Sequence, residues 1–336
     1  MSAVLRVGLV GAGWVTQHHL AGWAQLGARA KVVAIADPNI AAAKARAGEF
    51  GIAQVFESAQ RMFDEAQLDA VDVAAPREFH AELVRMAARK GLAVICQKPL
   101  APTLTQARAL VAEVEGRCRL MVHENWRFRP YYRDLAEWLH AGRIGEVVQG
   151  QMTLLTSGLI PDAHGQLPAL ARQPFVATLD RALVMEVLIH HIDTLRFLLG
   201  ELRLRHARLG RLSPAMKGED RAFLAFETAT QAPIVLLANL AVHGQPPDLV
   251  DRLTLIGTRG TIALEGDSLR CTGAAPGERS YDMPACYRQS YAAAIAHFVD
   301  CLDSGAPFET AAGDNLRTLE LVESAYASGA PGWQRD

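Results

Sequence analysis

The stretch that most constrains this chain is Val4 to Thr16, Val-Leu-Arg-Val-Gly-Leu-Val-Gly-Ala-Gly-Trp-Val-Thr. The apolar run Val4 to Val10 predicts a buried parallel strand. Gly11 and Gly13 then allow a turn tight enough to bring backbone amides against a pyrophosphate at the start of a helix. A complete G-x-G-x-x-G fingerprint would place a third glycine where Thr16 stands. That third position serves close helix packing rather than phosphate contact, so the binding logic survives the change.

A second apolar run, Val32 to Ala36, ends in Asp37-Pro38. An acid at the end of the second strand, roughly 20 residues past the glycines, is placed to accept hydrogen bonds from an adenosine ribose. Its carboxylate would repel a 2'-phosphate, and no Arg or Lys follows before Lys44. The pattern therefore favours NAD over NADP, held by Gly11, Gly13 and the adjoining Trp14 and Val15, with Asp37 on the ribose.

At 336 residues the chain exceeds one hydrophobic core and predicts two domains. A formal charge of -2, with both signs interspersed, excludes the basic field of a nucleic-acid binder. Arg6 interrupts the apolar opening, and no uncharged run approaches a membrane span or signal peptide. The five cysteines, Cys96, Cys118, Cys271, Cys286 and Cys301, are far apart and lack zinc spacing, which points to a reducing cytoplasm.

Strand and helix alternate through the first part of the chain: a helix from Gln17 to Gly27, another over Asn39 to Phe50, and a strand over Asp69 to Ala75 closed by Pro76. A patterned helix from Phe79 to Lys90 sets Phe79, Leu83, Met86 and Ala87 on one side, with Gly91 placed to stop it. This predicts a doubly wound parallel sheet in a domain covering 1–123. His18 and His19 stand near the glycine turn, and surface or packing roles account for both. The strand Leu92 to Cys96 runs into Gln97-Lys98-Pro99. Ligands of parallel sheets collect beyond the carboxyl ends of the strands, so Lys98 is placed to present an ammonium to a substrate hydroxyl near the nicotinamide.

At Glu124 to Pro130 the composition turns aromatic and charged, marking the crossing into a second domain over 124–330. Asn125, Trp126 and Arg127 are candidates for holding a polyhydroxy substrate. A helix from about Arg181 to Leu199 carries Glu186, His190, His191 and Asp193. Glu186 and His190 are four apart, so on an α-helix the carboxylate can orient the imidazole as a base-orienting pair. A metal site on Glu186, His190 and His191 and a purely structural pair are the alternatives; adjacent histidines diverge on a helix and no H-E-x-x-H arrangement exists, so no metal is assigned. Short alternating runs from Leu202 to Cys271 predict a sheet, with Thr258-Arg259-Gly260 as a tight hairpin turn. His191, and His243 after one of these strands, are candidates to face substrate. Tyr287 to Leu302 and Ala312 to Ser328 are closing helices.

With these pieces in place the chain resembles the family of glucose-fructose oxidoreductase and inositol 2-dehydrogenase. The resemblance runs nearly end to end, through the glycine turn, Asp37, Pro76 with His80, Gly91 to Pro99, the Arg127 to Pro130 block and Ile256 to Thr261. It implies an N-terminal Rossmann domain followed by an α/β domain whose large, mostly antiparallel open sheet packs a homodimer or homotetramer. It implies that Pro76, His80 and Gln97 line the cofactor, and that Lys98 and His190 are the active-site lysine and histidine. Three positions depart from the family motifs: Gln97 stands for glutamate, Glu186 for aspartate and Leu188 for glycine. The activity implied is NAD-dependent oxidation of a hydroxyl on a sugar, polyol or cyclitol. His190, oriented by Glu186, would move the proton and Lys98 would stabilise alkoxide charge, with those roles open to exchange. Tightly bound NAD used for internal redox, and a non-catalytic NAD or sugar sensor, are the alternatives.

Overall fold

The structure is a computed structural model and describes residues 4–328. The chain divides into two compact units. The first runs to Arg129 and takes in Tyr287–Arg317; the second comprises Pro130–Cys286 and the segment from Thr318 onward.

In the first unit six strands alternate with helices: β1 (Leu5–Val10), α1 (Thr16–Ala24), β2 (Ala30–Ala36), α2 (Ile40–Phe50), β3 (Gln54–Phe56), α3 (Ala59–Glu65), β4 (Ala70–Val73), α4 (Arg77–Arg89), β5 (Ala93–Gln97), α5 (Leu104–Val114) and β6 (Leu120–His123). All pairs are parallel, in the order β3-β2-β1-β4-β5-β6. The expected doubly wound sheet is thus present, with the reversal of strand order beside β1 that creates a ligand crevice. The helix ends have local causes. Asn39 caps α2 by accepting from the Ala42 N–H, and Gly51 closes it at φ 66°. Ser58 and Thr103 cap α3 and α5 in the same way.

Three details differ from the sequence expectation. The first helix ends at Ala24, not Gly27. The stretch between Gly51 and Asp69, too polar and broken to show a period, supplies β3 and α3. On α4 the buried face is His80, Leu83, Val84, Ala87 and Ala88, while Phe79 is 54% exposed. Pro76 stands just before the helix, and Phe79 in its first turn lies off the buried face.

The unit boundary also differs from the expected division at 123/124. Residues 124–129 stay with the first unit, and the chain returns to it late. Ala294, Ile295, Phe298 and Val299 of helix α9 (Met283–Ser304) share one core with Leu20 and Trp23 of α1. Gly22 makes this approach possible, since a Cβ there would lie 2.8 Å from Ile295 Cδ1 and 3.2 Å from the Ala292 Cα. The close helix packing usually given to the third glycine of the fingerprint is met here by Gly22.

The second unit contains α6 (Pro130–His140), β7 (Val147–Leu155), the short α7 (Pro168–Arg172), α8 (Ile189–Leu199), β8 (Arg203–Gly210), β9 (Arg221–Glu227), β10 (Pro233–Asn239), β11 (Asp251–Gly257), β12 (Gly260–Glu265), β13 (Ser268–Gly273) and β14 (Gly277–Ser280). Helix α10 (Ala312–Ser328) closes the described chain. The sheet order is β14-β13-β12-β11-β7-β10-β9-β8, antiparallel except for β7 with β10. Along β9 and β10 alternate residues are buried, including Leu224, Phe226, Ile234 and Leu236. One face of the sheet is therefore core, and Phe223, Val235, Leu237 and Ile256 lie on the other. The Thr258-Arg259 hairpin turn joins β11 to β12 as expected.

Candidate cofactor and catalytic residues

Gly11 adopts φ 112°, and a Cβ there would come within 2.5 Å of the Ala74 carbonyl oxygen. Only glycine fits this position. At Gly13 a Cβ would meet nothing within 4 Å, and Val15, the residue before α1, offers its first amides no side-chain acceptor. Open space beside an uncapped helix start is the cradle a pyrophosphate requires. Thr16 is fully buried, and its Oγ1 donates to the Gly13 carbonyl at 2.6 Å, bracing the turn.

Asp37 at the end of β2 accepts from the Ala12 N–H at 2.7 Å through Oδ2 and from the Asn39 N–H at 2.7 Å through Oδ1. It is thereby held against the glycine turn with lone pairs left for a ribose hydroxyl. Trp14 stands 47% exposed beside the turn, its ring edge-on to His18 at 4.9 Å between centroids.

Lys98 follows β5 and is partly exposed, while its neighbours Gln97 and Pro99 are buried. The Lys98–Pro99 peptide is cis. His80 is 1% exposed and spans two backbone carbonyls, Pro99 O from Nδ1 and Ala75 O from Nε2, each at 2.8 Å. Burial pushes its pKa down, with Lys98 adding to the effect, while the two carbonyls pull the other way. Its ring ties the turn after β5 to the turn after β4. Both nitrogens face carbonyls within the unit, so His80 shapes the turns after β4 and β5. Pro76 lies at the surface of the same turn, at the start of α4.

Gln97 is also engaged. Its Nε2 lies 2.8 Å from His19 Nε2, and its Oε1 accepts from the backbone N–H of Lys98 at 3.0 Å. His19 Nδ1 in turn meets Asp72 Oδ2 at 2.8 Å, and Trp23 Nε1 donates to the same oxygen at 2.7 Å. Asp72 and His19 are completely buried. Burial opposes ionisation of Asp72, but the neighbouring His19 and His123 rings and the hydrogen bonds from His19 and Trp23 outweigh it and hold the carboxyl below its usual range. Neither residue stands out by motif. The available signal was an aspartate inside the apolar strand Ala70-Val71-Asp72-Val73.

The block Asn125 to Arg127 is used differently from the expectation. The three side chains are buried at 2%, 6% and 5% exposure. Asn125 Nδ2 donates to Ser290 Oγ at 2.7 Å, Arg127 pairs with Asp314 at 3.2 Å, and the Arg129 guanidinium lies 3.3 Å from the Trp126 ring centroid. These polar groups fasten the returning segment 287–317 to the first unit, which is why so polar a block is buried.

In the second unit Glu186 does not sit on an α-helix. Leu183–Leu188 form a π-helical turn, and α8 begins only at Ile189. The four-residue rule that places Glu186 and His190 on one face assumes an α-helical turn, so it does not carry across this junction. The turn is held at its start by Glu219, whose carboxylate accepts from the Ala182 and Val184 N–H groups at 3.3 and 2.9 Å. The Tyr326 hydroxyl donates to Glu219 at 2.6 Å and accepts from the Met185 N–H at 3.2 Å. Glu219 and Tyr326 thus do the work of a helix cap from distant points in sequence, where no local motif could announce them.

His190 follows, 7% exposed. His191, expected to touch substrate, is fully buried, with Nδ1 at 3.1 Å from Val187 O and Nε2 at 2.8 Å from Asp251. Asp251 also accepts from Tyr132 Oη at 2.9 Å. This arrangement holds the second unit together and leaves His191 no nitrogen for a ligand. His243 is exposed in the loop after β10. Among the described residues no three His, Cys, Asp or Glu side chains gather as a metal site.

Residues 5–124 match the model of the oxidoreductase family with an NAD-binding Rossmann fold, and residues 132–263 match the GFO/IDH/MocA C-terminal domain. D-apiose dehydrogenase of Paraburkholderia graminis is 32% identical over 96% of this chain and 87% of its own length. The chain belongs to this oxidoreductase family. D-apiose dehydrogenase of Rhizobium rhizogenes is 31% identical over 98% of this chain and 96% of its own. An oxidoreductase from Agrobacterium radiobacter, solved in complex with NAD+, L-tartaric acid and magnesium, superposes with a TM-score of 0.89 at 30% identity, covering 98% of this chain and 97% of that one.

The chain is an NAD-binding oxidoreductase, and the open glycine turn with Asp37 fits that cofactor. Two of its departures from the family motifs now have a setting. Gln97 lies in the buried row from Asp72 to Lys98, where a neutral amide meets the imidazole. Leu188 is fully buried at the junction of the π turn and α8, filling space that glycine would leave.

Proposed function

We propose that this oxidoreductase oxidises a hydroxyl group of a small sugar, polyol or cyclitol, with D-apiose the first substrate to test. The observation that carries this reading is the 32% and 31% identity to two D-apiose dehydrogenases over 96% and 98% of this chain. Bound NAD supplies the acceptor for the hydride that leaves the carbinol carbon. Gly11, Gly13 and the start of α1 hold its pyrophosphate, Asp37 its adenosine ribose, and Trp14 and Val15 flank the turn. The protein's own task is to take the hydroxyl proton and stabilise the oxygen as negative charge develops. His190 is assigned the proton transfer; Glu186 as its orienting acid rests on the family resemblance alone, since the π turn removes the helical-spacing argument. Lys98 is assigned substrate orientation and charge stabilisation. His243, exposed, remains a candidate substrate contact.

Turnover is read at 340 nm with NAD or NADP against aldoses, polyols, inositols and sugar acids. NAD-dependent turnover of one class, lost in Lys98→Ala and His190→Ala with NAD binding retained, is the expected result. Turnover that survives both substitutions would overturn the assignment.

A homodimer or homotetramer through the second unit's sheet forms part of this reading. It is supported by the apolar outer face, where Leu237 and Ile256 are 37% and 38% exposed. Leu237→Glu is expected to shift the mass measured by light scattering to that of the monomer. A cytoplasmic location agrees with five cysteines that are all free thiols.

A further inference from the structure

The row from Asp72 to Lys98 has only one consistent set of protons. The backbone N–H of Lys98 is a donor and nothing else, so the Gln97 atom facing it at 3.0 Å is the amide oxygen. The amide nitrogen then faces His19 Nε2 at 2.8 Å, and an NH2 group can only donate there. Nε2 must therefore be unprotonated. The remaining proton lies on Nδ1, which meets the Asp72 carboxylate at 2.8 Å. His19 is a neutral imidazole whose tautomer is fixed from both ends.

We propose that His19 and Gln97 are positioning residues for Lys98. The buried Asp72 carboxylate sets the His19 tautomer, His19 sets the Gln97 amide, and the amide oxygen holds the backbone of Lys98. This rests on the assignment of Lys98 to the reaction. The groups around His19 leave it little freedom. The His123 ring lies 4.3 Å away, the Tyr291 ring 5.5 Å, and His18 precedes it on α1. Cys96, beside Asp72, is held as a thiol by burial. Tyr291 is held as a phenol by burial and by Tyr287.

The residue at 97 thereby decides the charge of His19. A glutamate there would present oxygen both to the Lys98 N–H and to His19 Nε2. His19 could satisfy that oxygen only by taking a second proton and becoming an imidazolium between two carboxylates. Glutamine gives the same hold on Lys98 with His19 neutral and two buried charges fewer, those of the glutamate and of the imidazolium. Turnover in this chain then needs no proton on His19 Nε2.

The test is proton-nitrogen long-range NMR of the histidine rings near neutral pH, with the His19 signals assigned by their loss in His19→Asn. The full-length protein is expected to show His19 as the neutral Nδ1–H tautomer, and Gln97→Glu to show it doubly protonated. A doubly protonated His19 in the unaltered protein, or the Nε2–H tautomer, overturns the row. In kinetics, Gln97→Met is expected to lower kcat about 10- to 100-fold through misplacement of Lys98, with KM for NAD changed less than about twofold. Gln97→Glu should restore most of that rate near neutral pH and lose it at alkaline pH, as His19 gives up its second proton. Unchanged kcat in Gln97→Met overturns the positioning role. Full turnover in Lys98→Ala instead overturns the catalytic assignment of Lys98 and any positioning effect on turnover, while the NMR result still decides the row itself.

Discussion

The Asp37 carboxylate bonds the backbone N–H of Ala12 at 2.7 Å, joining the end of β2 to the residue between the two glycines of the cofactor turn. One side chain therefore both braces the turn and marks the ribose. Asp37→Ala removes the charge-assisted bond to Ala12 and the one to Asn39. KM for NAD is expected to rise about 10-fold or more, the scale of a lost hydrogen bond to a charged group. The preference for NAD over NADP should narrow at the same time, because no carboxylate remains to repel a 2'-phosphate. Steady-state kinetics with both cofactors measures the two effects.

Gly11 and Gly13 should respond differently to the same methyl group. At Gly11 a Cβ meets the Ala74 carbonyl at 2.5 Å on a backbone with φ 112°. Gly11→Ala is expected to cost about 2–4 kcal/mol from strain and clash together, read as a fall in Tm. At Gly13 the protein offers no obstacle within 4 Å. Gly13→Ala should leave Tm nearly unchanged and weaken NAD in calorimetric titration, because the methyl enters the space of the pyrophosphate.

The contrast between these glycines and the rest of the site shows what a sequence can carry. The strand-turn-helix with Asp37 is legible because its residues are close in sequence and their spacing is fixed by backbone geometry. The parallel sheet and most strands of the second unit are legible for the same reason, through apolar period and turn residues. Asn125 and Arg127 are polar beside a domain crossing, yet they are buried because Ser290 and Asp314 return from far along the chain to meet them. The π turn at Leu183–Leu188 was hidden because Glu219 and Tyr326 hold its first amides from distant positions. His191 resembles a ligand group only until Asp251, 60 residues on, is seen to bind it.

Asp72 gives a prediction with a defined pH sign. Its folded-state pKa is depressed, so its contribution to stability is present above the unfolded value of about 3.9 and is lost as pH falls through the folded value. Asp72→Asn keeps the shape and removes the charge that receives His19 and Trp23. The variant should be less stable by about 1–3 kcal/mol near neutral pH. The gap should begin to close as pH falls below about 4, where the carboxyl protonates in the unfolded chain, and be lost once pH passes the depressed folded value. Chemical denaturation of both proteins across the acid range measures it. A gap that widens toward low pH would contradict the depressed value.

Removing the Tyr326 hydroxyl tests the support of the π turn. Tyr326→Phe leaves the Met185 N–H without its acceptor and deprives Glu219 of one of its three donors. Burial and the neighbouring Glu219 carboxylate raise the Tyr326 pKa, so the group is a neutral donor throughout the physiological range and the loss should be independent of pH there. An unsatisfied buried amide costs about 1–3 kcal/mol, expected as a lower Tm. Because the turn leads directly into Ile189 and His190, kcat should fall more than KM for NAD rises, the Rossmann unit being untouched. Glu219→Gln should be the harsher change, since its amide nitrogen presents hydrogen to donors that need an acceptor. If both variants keep full kcat while losing stability, the turn is scaffold alone and the placement of His190 does not depend on it.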